Sequence, residues 1–372
     1  AAPAGDEALL WSRAMVRQCA AAQDELLQLD TNAFDQDRRM LLCKLAQRAG
    51  ELAEMEFGFL YDPVSHLLAI GYNVDERRRD TGSYDLLASE ARLAIFIGIA
   101  QAQLPQQAWF ALGRHATSQA GRAVLLSWSG SMFEYLMPML VMPTFDNTLL
   151  EEAMRGAVAR QIDYGNKRNL PWGVSESGYN LTDSHLNYQY RAFGVPGLGL
   201  KRGLGEDMVI APYATVLALM VDPAAAADNL QRLTGEGLAG LFGYYEAADY
   251  TPLRLRRGET CAVVRSYMVH HQGMSLLSLA YTLLDQPMQK RFHADPQLRA
   301  TLLLLQERIP KAVAFHDTTE RIFDRASLSN IEMPLRSMRT PDTPSPEVQL
   351  LSNGRYLVML TNAGGGYSRW RE

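Results

Sequence analysis

Cysteine is scarce: Cys19, Cys43 and Cys261 are the three thiols among 372 residues. An odd, widely spaced set fits buried thiols in a reducing compartment better than a disulfide framework. No Cys-x-x-Cys pair or histidine cluster offers metal-ligand spacing, and no metal or other cofactor is expected. Excess positive charge is missing as well. With 36 Lys and Arg against 41 Asp and Glu the formal net charge is −5, which gives no electrostatic reason to expect nucleic acid or an anionic membrane surface as partner. The longest uncharged stretch, "AIFIGIAQAQLPQQAWFALG", holds four glutamines and a proline, which makes it a poor membrane span. The opening "AAPAGDEALL" has no basic region followed by an apolar one, so no signal peptide is expected.

What is present is ordinary for a globular protein with a sizeable core: 47% hydrophobic and 21% charged residues. Residues 6–30 and 36–56 predict two helices, the second with Met40, Leu41, Cys43, Leu45, Ala46, Ala49 and Leu52 on one broad apolar face. Around Asp62-Pro63 a turn signal between short apolar runs predicts a hairpin. Further helices are expected over 83–103, 130–141, 147–166, 211–221, 222–234, 262–285 and 295–308. Long Gly-, Pro- and Tyr-rich connections separate them, which suggests a mainly α fold, an α/α toroid whose loops gather at one rim as a binding cleft. Beyond Pro310 the periodicity fades into "TPDTPSPE", and two β-rich runs joined by Asn353-Gly354 predict a hairpin. A lone hairpin is marginal, so a following β-rich domain is expected to begin there.

Four acids occupy apolar or aromatic surroundings, where a charge costs several kcal/mol unless it is paired or protonated. On a helix, Glu90 of "YDLLASEARLAIFIGIA" shares its stripe with Leu86, Leu87, Leu93 and Ala94. Either it is protonated there or it pairs with Arg92 or an arginine of "DERRRD". Glu134 is embedded among Met137, Pro138 and Val141, with the same two readings. Glu176 of "LPWGVSESGYN" and Glu246 of "GYYEAADY" lie in aromatic-rich loops, where a carboxylate either stitches the loop or does chemistry. Paired carboxylates beside exposed rings are the equipment of glycoside chemistry: one protonates the leaving oxygen, the other attacks the anomeric carbon or activates water. Tyr72, Tyr84, Trp128, Trp172, Tyr179, Tyr188, Tyr190, Tyr244 and Tyr245 are the rings on offer. Other schemes fit worse. "SWSGS" lacks the Gly-x-Ser-x-Gly elbow, "GLGLKRGLG" is not a phosphate loop, and the adjacent His270 and His271 diverge on a helix.

Seven ordered motifs carry a resemblance: "YDPVSHLLAIGYNVDERRRDTGSYDLLASEARLAIFIGIA", "LLSWSGSMFEYLMPMLVM", "RNLPWGVSESGYN", "FGVPGLGLKRGL", "IAPYATVLALMVDP", "GYYEAADYTP" and "YMVHHQGMSLLSLA". Together, from about Phe57 to about Ile309, they closely resemble glycoside hydrolase family 189, the glycoamylase-like domain of cyclic β-1,2-glucan synthases. The tail "LLSNGRYLVMLTNAGGGYSRW" resembles the opening of the phosphorylase-like β-sandwich that follows in those synthases. The resemblance implies an (α/α)6 barrel over 57–315, a helical segment over 1–56 packed against it, a linker over 316–346 and the start of the β-rich domain over 347–372. It further implies anomer-retaining cyclisation of linear β-1,2-glucan at the cytoplasmic face of the bacterial inner membrane, beside polymerising and phosphorylase-like partner domains. Carried over by motif, the acid/base falls on Glu90 and the nucleophile on Glu176. On this reading Glu90 is desolvated and protonated, while Glu176 is kept ionised by Ser175, Ser177 and backbone amides. Trp128, Glu134, Trp172, Tyr179, Lys201, Arg202, Tyr244, Glu246, His270 and Gln272 are the expected sugar-contacting or orienting groups. An endo-β-1,2-glucanase on the same barrel and a non-catalytic glucan-binding module are the competing readings.

Overall fold

The computed structural model describes residues 4–30, 36–119, 122–309, 340–343, 347–352 and 355–370. Its helices are α1 (Ala4–Asp30), α2 (Gln36–Ala53), α3 (Ala91–Ala100), α4 (Gln107–Ala111), α5 (Met132–Leu136), α6 (Leu149–Lys167), α7 (Pro212–Ala218), α8 (Pro223–Gly235), α9 (Val269–Leu283), α10 (Pro287–Ala294) and α11 (Pro296–Thr301). Local chemistry sets several of their starts. The Thr148 hydroxyl accepts from Glu151 N–H at the head of α6, and the Asp222 carboxylate accepts from Ala225 N–H at the head of α8, where Pro223 fills the first turn. Asp295 caps α11 in the same way, ahead of Pro296. At α5 the cap is reciprocal, Ser131 and Glu134 satisfying each other's backbone N–H.

The chain divides into two units, residues 1–318 and 319–372. In the first, one continuous core runs from Phe57 to Leu305 and contains the fully buried Ile95, Phe96, Trp109, Val124, Met132 and Leu136. α7 packs on both α8 and α9, and α6 lies against a strand at Arg122–Leu125. The hairpin at Asp62-Pro63 is present, Tyr61–Asp62 pairing with Leu67–Ala69.

Several expectations are corrected. The 83–103 helix begins only at Ala91, because Ser83–Tyr84 adds a third strand to that hairpin and Leu86 bridges Gly113. Likewise Ala262–Val264 is a strand paired with Ala247–Asp249, so α9 starts late. The connections expected to be irregular carry small sheets: Ala116–Gln119 with Arg122–Leu125, and Ser177–Thr182 with Tyr188–Arg191. Cys19 and Cys43 are exposed and Cys261 half-buried, since the two helices that carry the first pair do not bury their faces. Met15, Val16, Met40, Leu41, Leu45 and Leu52 all lie open to solvent. None of the described side chains of α1 and α2 is buried, and Gln101 Nε2 donates to Ala53 O at the end of α2 at 2.8 Å.

Among the described residues the second unit holds three antiparallel strands rather than two, Val348–Ser352, Tyr356–Thr361 and Gly366–Trp370. Asn353-Gly354 and most of the expected linker lie outside the described residues.

Candidate active site

Glu90 occupies the N-cap position of α3, not a helical stripe, yet it is half-buried all the same. One flank meets a cavity of about 560 Å³ walled by Phe57, Leu60, Leu68, Tyr84, Ile97 and Val141. Burial pushes its carboxyl above the ordinary range, and the Glu134 carboxylate adds to this. Ser89 Oγ donates to Glu90 Oε2 at 3.2 Å. Arg92 does not pair with it: the buried guanidinium donates to the carbonyls of Ser89, Glu134 and Tyr135, and burial pushes it down to about 10.

Glu176 precedes the strand Ser177–Thr182. Its carboxyl is pushed up to about 7, by burial first and then by Glu90 and Glu134. The three carboxyls thus form one electrostatic group, which also raises the phenol of Tyr84, after burial, through Glu90 and Glu176. The expected polar cradle around Glu176 is not there. Ser175 Oγ instead accepts from Phe133 N–H at 3.0 Å and from the Tyr213 hydroxyl at 2.8 Å. Ser177 Oγ is buried without a hydrogen-bond partner, and Gly178 N–H donates to Glu246. The Glu176 side chain receives one long bond, from the Tyr190 hydroxyl at 3.4 Å. The sequence-based split, with Glu90 dry and Glu176 well solvated by dipoles, is overturned: the less supported carboxylate is Glu176.

Glu134 is a structural hub. Buried, it accepts from Ser127 Oγ, Trp128 N–H, Ser129 N–H and Oγ, and Ser131 N–H and Oγ. That loop is bound by backbone to the Gly-rich segment after Arg191, through Ser127 N–H to Leu198 O (3.0 Å), Val195 N–H to Gly130 O (3.1 Å) and Lys201 N–H to Trp128 O (2.9 Å). The fit is tight enough that a Cβ on Gly194 would sit 1.7 Å from the Ser129 carbonyl oxygen, which accounts for the glycines without any nucleotide. Trp128 projects from this loop, 62% exposed.

The remaining candidates separate by burial. Trp172 is only 5% exposed, with its backbone bonded to Asn229 and Thr215; it is a core residue and not a sugar platform. Tyr179 is half-buried, its ring edge-on to Phe193 at 5.5 Å with the Arg254 guanidinium 5.0 Å above it. Tyr244 is pinned to Leu230 O and Thr234, and Gln272 Nε2 donates to Tyr244 O at 3.1 Å, so both tie the loop down. Lys201 reaches Ala192 O at 3.5 Å. Arg202 and His270 are exposed, while Glu246 is buried against His271, Nδ1 to Oε2 at 3.0 Å. Tyr190, His271 and Tyr213, which were not singled out as site residues, converge here. Their signal in the sequence was slight: one ring among many, and one half of a His-His pair.

A family model described as "Glycoamylase: Putative glucoamylase" matches residues 83–296, the span that holds both carboxyls. The chain belongs to the glycoamylase family. A second model, the supersandwich domain of glycosyl hydrolase 94, matches residues 331–372 of this glycoamylase-family chain. The chain is 43% identical over 367 residues to the cyclic beta-(1,2)-glucan synthase NdvB of Rhizobium meliloti, covering 98% of this chain and 13% of that protein. Among solved structures, a "putative glucoamylase" from Bacteroides caccae matches with TM-score 0.56 and 16% identity over 75% of this chain and 68% of its own. The endo-beta-1,2-glucanase of Chitinophaga pinensis, solved with sophorotriose and glucose, matches with TM-score 0.54 and 14% identity over 75% and 67%. The glycoamylase-family chain shares their fold. Among the described residues, no helix is long and apolar enough to cross a membrane.

Proposed function

We propose that this chain carries the catalytic carboxyls of a retaining transglycosylase that closes linear β-1,2-glucan into a ring, within an (α/α)6 barrel of a larger inner-membrane synthase. The supporting observation is the electrostatic group of Glu90 and Glu176, both raised by burial, with the Glu90 charge raising Glu176 further, in a chain 43% identical to a cyclic beta-(1,2)-glucan synthase. Glu90, its carboxyl raised by burial at its apolar flank, donates to the leaving oxygen. Glu176 attacks the anomeric carbon, and the glucosyl-enzyme is resolved by the 2-hydroxyl of the same glucan chain. A carboxyl near 7 is about half-ionised at neutral pH, and its ionised form is a stronger nucleophile for having little water or dipole support to shed. Trp128, exposed on the loop that Glu134 holds, is the ring we assign to stack on a sugar.

The second reading is hydrolysis, favoured by the shared fold with an endo-beta-1,2-glucanase. Incubation with linear β-1,2-glucan separates the two, cyclic products marking the first and short linear ones the second. Turnover that survives both Glu90→Gln and Glu176→Gln refutes the assignment of the pair, and no turnover by the intact synthase refutes an enzymatic role.

A further inference from the structure

Three titratable side chains from three segments stand in line behind the proposed nucleophile, and a fourth stacks on one of them. Glu246 accepts Gly178 N–H on Oε1 at 3.0 Å and meets His271 Nδ1 with Oε2 at 3.0 Å. His271, buried in the first turn of α9, holds Nε2 3.3 Å from the Tyr190 hydroxyl, which stands 3.4 Å from Glu176 Oε2. Tyr213 of α7 lies flat against the imidazole, centroids 3.7 Å apart and planes 11° from parallel. Its own hydroxyl is committed to Ser175 Oγ and the Glu176 carbonyl, so it fixes the ring without competing for its nitrogens. The other titratable groups facing this line are His270, with its ring centroid 4.0 Å from that of His271, and Glu90, Glu134 and Tyr84, which face Glu176.

Tyr190 has one proton and two neighbours able to take it. With Glu176 protonated, Glu176 donates to the Tyr190 oxygen and Tyr190 donates to His271 Nε2. With His271 doubly protonated, Nε2–H donates to Tyr190 and Tyr190 donates to Glu176. Nδ1–H faces Glu246 in both patterns, and the Tyr190 hydroxyl and both His271 nitrogens keep a partner in both.

We propose that Glu246, His271 and Tyr190 form a proton wire that ionises Glu176 before it attacks the anomeric carbon. The wire deepens, and rests on, the reading of Glu176 as nucleophile. In the step, the Glu176 O–H bond breaks and its proton goes to the Tyr190 oxygen. The original Tyr190 O–H bond breaks in the same event, and that proton forms the His271 Nε2–H bond. Tyrosine leaves as it entered, neutral; Glu176 becomes an anion, and the new imidazolium is paired with the Glu246 carboxylate. No tyrosinate is formed, in keeping with the raised phenol of Tyr190, due to burial and then to Glu176 and Glu246. Tyr190, His271 and Glu246 are positioning residues, since they act through Glu176.

The test reads protonation rather than turnover. Infrared titration follows the Glu176 carboxyl band, assigned by its loss in Glu176→Gln, and ¹⁵N NMR follows His271, assigned by His271→Asn. The wire requires His271 to carry protons on both nitrogens where Glu176 is first ionised; a singly protonated His271 across that window overturns it. Tyr190→Phe, which keeps the ring and hence the packing, should raise the midpoint of the carboxyl band by about one pH unit, the support of one hydrogen bond to a charged group. An unmoved midpoint also overturns the wire. On linear β-1,2-glucan the same variant should lose about tenfold more rate at about pH 6 than at about pH 8.5, and an equal loss at both speaks against it. Turnover by Glu176→Gln would sink the nucleophile reading and leave the NMR result standing, so the two failures are distinguishable.

Discussion

Replacing Glu176 by glutamine removes a charge that the fold disfavours, and the consequence for stability has a definite pH dependence. The carboxyl ionises at an ordinary 4.5 when unfolded and at about 7 in the folded chain. Because the folded value is raised, the folded state binds the proton more tightly. Stability is therefore highest below about 4.5, falls as pH rises from there, and levels off above about 7. At about 1.4 kcal/mol per pH unit the interval corresponds to about 3 kcal/mol of destabilisation once the group is fully ionised. Glu176 is only half-buried, and solvent screening reduces this to about 1–2 kcal/mol. Glutamine keeps the shape and carries no charge at any pH, so Glu176→Gln should match wild type at about pH 4 and exceed it by about 1–2 kcal/mol at about pH 8.5. For a unit of this size that is a rise of roughly 3–6 °C in melting temperature. Parallel thermal and urea melts at the two pH values measure it. A stability gain equal at both, or a loss at the higher pH, would refute the account of Glu176 as a buried, poorly supported carboxylate.

Other perturbations separate structure from chemistry. Glu134→Gln should cost about 3 kcal/mol or more in urea unfolding, because its amide cannot accept from all of the three backbone N–H groups and three hydroxyls now bonded to the carboxylate; a stable but inactive variant would instead give Glu134 a direct part in catalysis. Gly194→Ala should destabilise by about 3 kcal/mol, since the new Cβ would lie 1.7 Å from a backbone oxygen, and wild-type melting would contradict the close approach. Trp128→Ala should raise KM for β-1,2-glucan about tenfold with an unchanged melt, the loss of one stacking face, whereas Trp172→Ala should cost about 3–5 kcal/mol of stability. If the two tryptophans behaved alike, the separation by burial would fail. As the nucleophile, Glu176 gives kcat/KM an acidic limb near its value of about 7, with rate rising as pH rises; a rate that falls through that range would make Glu176 the acid.

Long periodic segments were legible from the sequence. α1, α2, α6 and α8 fall within a few residues of their expected spans, because their apolar spacing and caps are local properties. The head of α3 was not: "SYDLLASEA" has helical composition, but Ser83 and Tyr84 find strand partners in Ala69 and Leu68, and such partners are invisible to a local pattern. The short hairpins in the loops were missed for the same reason. The proposed catalytic pair rests on motif resemblance, while the residues alone leave each acid ambiguous between pairing and chemistry. The Glu176 environment was misjudged because flanking serines look like a polar cradle, whereas in space their hydroxyls turn elsewhere. Tyr190 reaches Glu176 across 14 positions and His271 across 81, separations that no single-sequence pattern records.

The binding of the Ser127–Ser131 loop to the Gly-rich segment has a kinetic side. A ring 62% exposed on a free loop would have to be ordered at each encounter, at about 1–2 kcal/mol for every backbone residue immobilised. Trp128 is instead carried by a backbone clamped from both sides, by the carboxylate of Glu134 through its N–H and by Lys201 N–H through its carbonyl. The entropy of that ordering is lost once, on folding, and not at each arrival of a ligand. The backbone that carries this ring is in place before any ligand arrives.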